Sequence, residues 1–239
     1  MHGLANPARF VRIADAVLPW CSAVTILLIA AGLFLGLFQS PADYQQGETV
    51  RIMYVHVPAA WMSMFVYGCL ALASAAALIW RHPLAHLACQ ASSPVGACFT
   101  LIALVTGSLW GKPEWGTFWV WDARLTSELI LLLLYLGHMA LARAFDDPGR
   151  GAQAAAILAL VGAVNLPIIK FSVEWWSTLH QPASVFRMGG PTIDPAMLWP
   201  LGLMGLGFTL LFVCLLLVRI KTLLLEARLR AAEQLQLGA

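Results

Sequence analysis

An all-α fold, a polytopic membrane bundle of six transmembrane helices, is what the sequence predicts, and three observations carry the prediction. Apolar residues make up 60% of the 239-residue chain and charged residues only 11%, with a positive mean hydropathy; that balance does not suit a soluble globule of this length. The apolar residues gather in six runs, each near the roughly 20 residues that a membrane-crossing helix requires. Little chain is left between them, so residues 1–239 read as a single integral membrane domain.

The runs fall at residues 17–38, 58–80, 92–109, 125–144, 152–169 and 198–218. Arg9 and Arg12 precede the first, which is too long for a signal-peptide core and lacks a small-residue cleavage site, so it is expected to be retained with its amino terminus inside. Pro58 is placed to open the second helix, where its missing N–H is not needed. The fourth opens with Thr126, Ser127 and Glu128, and the fifth carries Asn165 and Pro167 as its internal irregularity. Charges among leucines from Arg219 to Arg230 predict that the sixth helix continues out of the membrane.

Six spans put both termini on one side. That side then holds Arg9, Arg12, Arg81, Arg143, Arg150, Arg219, Lys221, Arg228 and Arg230, leaving Arg51, Lys112, Arg124, Lys170 and Arg187 opposite. Nine of the 14 basic residues against five agrees with cytoplasmic termini by the positive-inside rule. The outer loops are then residues 39–57, 110–124 and 170–197. A net charge of +2, with no basic run, gives no footing for nucleic acid, and the partner that composition does imply is the lipid bilayer.

Of ten tryptophans, only Trp20 and Trp80 fall on the inner side; Trp61, Trp110, Trp115, Trp119, Trp121, Trp175, Trp176 and Trp199 lie at or near the outer one. Interfacial anchoring predicts a rough balance. It accounts for Trp61, Trp199 and Trp110, but not for the loop 110–126, WGKPEWGTFWVWDARLT, nor for the pair Trp175 and Trp176. A rigid aromatic platform suits a large planar ligand, because stacking buries apolar area at small conformational cost. A porphyrin fits better than a carbohydrate, whose sites add several carboxylates or amides. Its propionates call for cations, and Lys112, Arg124, Arg51 and Arg187 are the candidates on that face.

Haem iron needs axial donors, most often histidine. Among the six histidines, His2 is in the amino-terminal tail, His82 and His86 are on the inner side with Pro83 between them, and His138 lies deep in the fourth helix, where a structural role is favoured. His56 and His180 remain, each in an outer loop, with the His56 ring expected at the outer rim. The five cysteines lie within or beside the spans, so no disulfide framework is implied. No C-x-x-C-H motif is present, and haem would be held without thioether bonds.

At these residues a resemblance emerges. WGTFWVWDARLT resembles the WWD signature of haem-handling proteins, and PADYQQG, YVHVPAAW, LVTGSLWGKP, NLPIIKFSVEWWSTLHQ and IDPAM are similar to the corresponding segments of the CcmC family of cytochrome c maturation proteins. The similarity runs over most of residues 40–197. It implies a non-covalent haem b site facing the periplasm of a bacterial inner membrane, with His56 and His180 on the iron and Trp115, Trp119, Trp121 and Asp122 as the signature platform; Arg124 is a candidate propionate contact. Phe118 stands where the family often has a further tryptophan, leaving stacking but no indole N–H. The resemblance further implies that haem is presented to the chaperone CcmE in a complex with the transporter subunits CcmA and CcmB and the small protein CcmD.

The chain has no phosphate-binding loop, so any ATPase would be a partner. No nucleophile with a nearby base, carboxylate pair or hydrolytic metal motif appears, and a binding and transfer protein rather than an enzyme is expected. The alternatives are a membrane electron-transfer cytochrome with two axial histidines, and a permease, which should show ionisable residues or broken helices at mid-membrane. Gly32 and Gly36 in the first helix and Gly202, Gly205 and Gly207 in the sixth offer close-packing surfaces, either within the bundle or toward a partner.

Overall fold

The computed structural model describes residues 6–182, 184–185 and 187–237, so His2 lies outside the described residues. Seven α-helices follow in order: α1 (Pro7–Phe34), α2 (Met53–Trp80), α3 (Pro83–Trp115), α4 (Ala123–Leu141), α5 (Pro148–Gly162), α6 (Asn165–Trp175) and α7 (Pro195–Leu237). With α5 and α6 taken as one broken span, six helical segments are long and apolar enough to cross a membrane. Among the described residues there is no strand, only an isolated bridge between Asp43 and Gly47.

Local chemistry sets the helix ends. Asn6 accepts hydrogen bonds from the Ala8 and Arg9 N–H groups at 2.9 and 3.3 Å ahead of Pro7, and Asp147 accepts from Gly149 at 2.8 Å ahead of Pro148, each a side-chain cap with proline in the first turn. Arg81, at φ 48°, turns the chain between α2 and α3. Gly116, at φ 76°, terminates α3 in the left-handed conformation that glycine adopts without a Cβ penalty.

Two expectations are corrected. Pro58 lies inside α2, which begins five residues earlier at Met53 after a 3-10 turn over Glu48–Ile52; His56 therefore belongs to a helix, not to a loop. A proline within a buried membrane helix is tolerated because neighbouring groups meet the freed carbonyl. Helix α3 also runs through Trp110, Gly111 and Pro113 to Trp115, so the first third of the Trp-rich stretch is helical and its loop is short. The expected irregularity at Asn165 is the break between α5 and α6, where the buried Asn165 donates from Nδ2 to the Ser127 carbonyl at 2.9 Å. The final helix continues far past its apolar part, as its charged tail predicts.

The core centres on Tyr67 of α2 and Tyr135 of α4, fully buried, edge to face with centroids 5.0 Å apart. Tyr135 donates to the Ser63 carbonyl at 2.8 Å. Gly96 lets α3 close on the Tyr135 ring, since an added Cβ would overlap it. The predicted small surfaces serve this chain's own packing: Gly32 meets Met204, Gly207 meets Ile29, Gly36 meets Tyr54 and Gly205 meets Trp61. Gly202 faces open space. Large apolar side chains such as Leu72, Leu133 and Leu206 point outward, as expected where the surroundings are hydrocarbon rather than water.

Candidate functional site

One end of the bundle gathers the start of α2, the end of α3, the start of α4 and the stretch after α6 that carries Thr178 and His180. His56 and His180 arrive there from different elements. In the second turn of α2, His56 has its Nδ1 3.0 Å from the Ala103 carbonyl oxygen and 3.1 Å from Thr106 Oγ1 on α3. The Thr106 hydroxyl itself donates to the Ile102 carbonyl at 2.6 Å, so Nδ1 carries the proton and donates to Ala103. Gly107 makes room for the ring, since a Cβ there would stand 2.9 Å from His56 Cε1. Trp110 meets the ring edge to face at 5.6 Å. The ring is thus clasped between α2 and α3 rather than set at an outer rim.

His180 is held by polar partners. Its Nδ1 lies 3.2 Å from Asp122 Oδ2, its backbone N–H donates to Thr178 Oγ1 at 3.0 Å, and the Thr178 hydroxyl donates to Asp122 Oδ2 at 2.5 Å. The other Asp122 oxygen accepts from the Leu125 N–H at 2.8 Å, capping α4 as a residue before a helix is suited to do. Trp115 packs on His180 with centroids 4.8 Å apart.

Burial opposes the negative charge on Asp122, yet the bonds from Thr178, Leu125 and His180 together hold its carboxyl below the usual range. Burial also lowers the His180 value, and the attraction of Asp122 only partly offsets it. The two side chains are close enough for an ion pair, but desolvation wins and the imidazole is neutral. At both histidines Nδ1 is thus tied to an oxygen acceptor, which leaves Nε2 as the ring atom available to a ligand. Metal-bound histidines show this arrangement, with the outer N–H fixed by a carbonyl or carboxylate.

A cavity of about 280 Å³ opens between them, with Trp61, Trp110, Trp115, Arg124 and Lys170 among its walls. A smaller chamber of about 60 Å³ adjoins it, sharing His56, His180, Trp115 and Arg124 and reaching the buried Glu128, whose carboxylate accepts from Ser63 Oγ at 2.7 Å. Arg124 Nη1 donates to the Ile169 carbonyl at 3.1 Å, which braces the guanidinium against the wall.

The expected site residues thus divide. His56, His180, Trp115 and Arg124 line the cavity, and Asp122 stands directly behind His180. Trp119 and Trp121 pair edge to face at 5.4 Å on the loop, Trp121 is 75% exposed, and neither lines the two chambers. The Trp119 Nε1–H is buried without a hydrogen-bond partner among the described residues. Of the other expected cations, Lys112 bonds the Gly116 carbonyl and covers the Phe118 ring, Arg51 pairs with Glu48, and Arg187 is exposed. Lys170, which the sequence offered only as an outer charge, is on the cavity wall, as are Trp61 and Trp110, read as lipid anchors. His138 donates or accepts at Ser93 Oγ, 2.7 Å away, buried in the bundle as its structural reading expected, and His82 and His86 begin α3 at the opposite end.

Fold and cavity define a class: a polytopic helical membrane protein with two imidazoles lining one aromatic-walled cleft. Within that class the chain belongs to the CcmC family, described as Heme exporter protein C, whose family model matches residues 1–235. It is 59% identical over 233 residues to the Heme exporter protein C of Bradyrhizobium diazoefficiens, covering 98% of this chain and 88% of that protein. Proteins of the same name from Haemophilus influenzae and Escherichia coli K12 are 52% and 51% identical over 226 and 225 residues, covering 95% and 94% of this chain and 92% and 91% of their own.

Proposed function

We propose that this protein holds haem b non-covalently between His56 and His180 and presents it for transfer during cytochrome c maturation. The observation that carries the reading is the matched pair of imidazoles, each with Nδ1 fixed and Nε2 free at the same cleft. The cleft's chemistry fits the group: aromatic walls suit a porphyrin plane, and Arg124 and Lys170 suit its propionates. On this reading Trp119 and Trp121, paired on the loop beside the cavity, extend the aromatic surface from outside its walls. The names of the relatives, Heme exporter protein C, agree.

The excess of arginine and lysine at the end bearing both termini supports a cytoplasmic placement of that end and a periplasmic cleft in a bacterial inner membrane. On this reading the chain is one binding and transfer domain, not an enzyme. Its partners are the haem chaperone CcmE as acceptor, the transporter subunits CcmA and CcmB, and the small protein CcmD.

The test is spectroscopic. Purified protein loaded with haem should give a low-spin spectrum with two nitrogen ligands, and His56→Ala and His180→Ala should each convert it to a high-spin one. An unchanged spectrum in both variants rejects the ligand assignment. Haem that moves to added apo-chaperone in the presence of the ATPase complex marks a handling protein, whereas haem that stays and only changes oxidation state marks an electron-transfer cytochrome.

A further inference from the structure

The two histidines are alike at Nε2 and unlike behind it. His56 leans on a neutral backbone carbonyl, whereas His180 leans on a carboxylate whose side chain is only 6% exposed. That carboxylate is shared. Thr178 has one hydroxyl proton, and the 2.5 Å contact commits it to Asp122 Oδ2, the oxygen that also faces His180 Nδ1. The lone pairs of Thr178 Oγ1 take the His180 backbone N–H, the local turn that a threonine two residues before its partner forms. With its proton already given away, Thr178 has none for His180 Nδ1, 3.3 Å off, and the ionised Asp122 has none either. The imidazole must supply its own, which fixes the tautomer.

We propose that Thr178 is a positioning residue that sets, through Asp122, how strongly His180 donates to the iron; this rests on the haem reading above. A carboxylate behind a ligating histidine draws its Nδ1 proton and makes Nε2 a stronger donor. The Thr178 hydroxyl competes for the same oxygen and moderates that pull. Removing it leaves Asp122 Oδ2 to the imidazole alone, which favours ferric iron. Behind His56 the Thr106 hydroxyl lies 3.1 Å from Nδ1 and 3.3 Å from the Ala103 carbonyl oxygen, but the acceptor they share is uncharged.

The experiment measures the haem midpoint potential and the low-spin ferric electron paramagnetic resonance spectrum of the full-length protein. Thr178→Val should lower the potential and change the g-value spread, while Thr178→Ser, which restores the hydroxyl, should match wild type. Asp122→Asn keeps an α4 cap but removes the charge, so it should raise the potential and weaken haem binding about tenfold or more. In the Asp122→Asn background, Thr178→Val should add no further shift. Loss of haem from Thr178→Val with retention in Thr178→Ser also supports the role. Equal potentials in wild type, Thr178→Val and Thr178→Ser overturn it, as does a serine variant that behaves like the valine one. A wild-type protein without the two-histidine spectrum would instead overturn the haem site itself.

Discussion

His56 is held by the helix beside it: its Nδ1 lies 3.0 Å from the Ala103 carbonyl oxygen of α3, one turn before the glycine at position 107 against which the ring rests. Ring position is therefore a property of α2 and α3 packing rather than of a loop. In a Gly107→Ala protein the added methyl would stand 2.9 Å from the ring, closer than carbon atoms settle, and the imidazole must swing away from its acceptor. The expected result is a folded protein whose haem shifts toward a high-spin spectrum, with loss of the His56 bond alone. Thermal unfolding in detergent and visible absorption separate the two effects.

Asp122 and His180 give the apo-protein an acid-sensitive element. Each holds its proton less readily in the fold than outside it, so the unfolded chain binds more protons and stability rises with pH across the interval. The share from His180 is present above its ordinary value of 6.5 and lost as pH falls below it; the share from Asp122 is lost later, as pH falls through the carboxylate's ordinary 3.8. Melting temperature in detergent should decline in two stages on acidification. His180→Ala should flatten part of the first stage, and a variant with an unaltered profile would contradict the assignment.

The tryptophans are expected to rank. Trp115 faces the cavity and touches His180, whereas Trp121 is largely exposed on the loop. Haem titration should show Trp115→Ala losing about 2 kcal/mol, roughly thirty-fold in affinity, as a buried aromatic anchor does. Trp121→Ala should lose less, and Trp119→Ala should fall between them. An equal loss at all three positions would mean that the loop closes over the ligand.

The membrane fold was readable because it depends on composition and run length, which survive without tertiary detail. The cap at Asp122 is chemistry of the same local kind: a carboxylate one residue before a helix finds the N–H of Leu125 whatever surrounds it. The start of α2 was not readable, because Pro58 is a helix breaker by local rules and acceptable only where the packed bundle compensates. The same limit hid the roles of Thr178 and Lys170. Their significance comes from Asp122, 56 residues away along the chain from Thr178, and from a cavity whose walls are drawn from separate stretches between Gln46 and Val185. The short helical approach to the loop, through Pro113, likewise depends on Gly116 rather than on the proline.

Helix α7 begins at Pro195, directly after the segment that carries His180, and runs without interruption to Leu237. At 1.5 Å per residue its 43 residues span about 64 Å, roughly twice the hydrocarbon thickness. Much of the rod therefore projects beyond the far face of the membrane, with its basal part tied to α1 through Lys221 and Asp15. Within the bundle the same rod is built into the core by Met197, Leu201, Met204, Phe208 and Phe212, so the chain that leaves the His180 segment is moored at once to the most tightly packed part of the molecule.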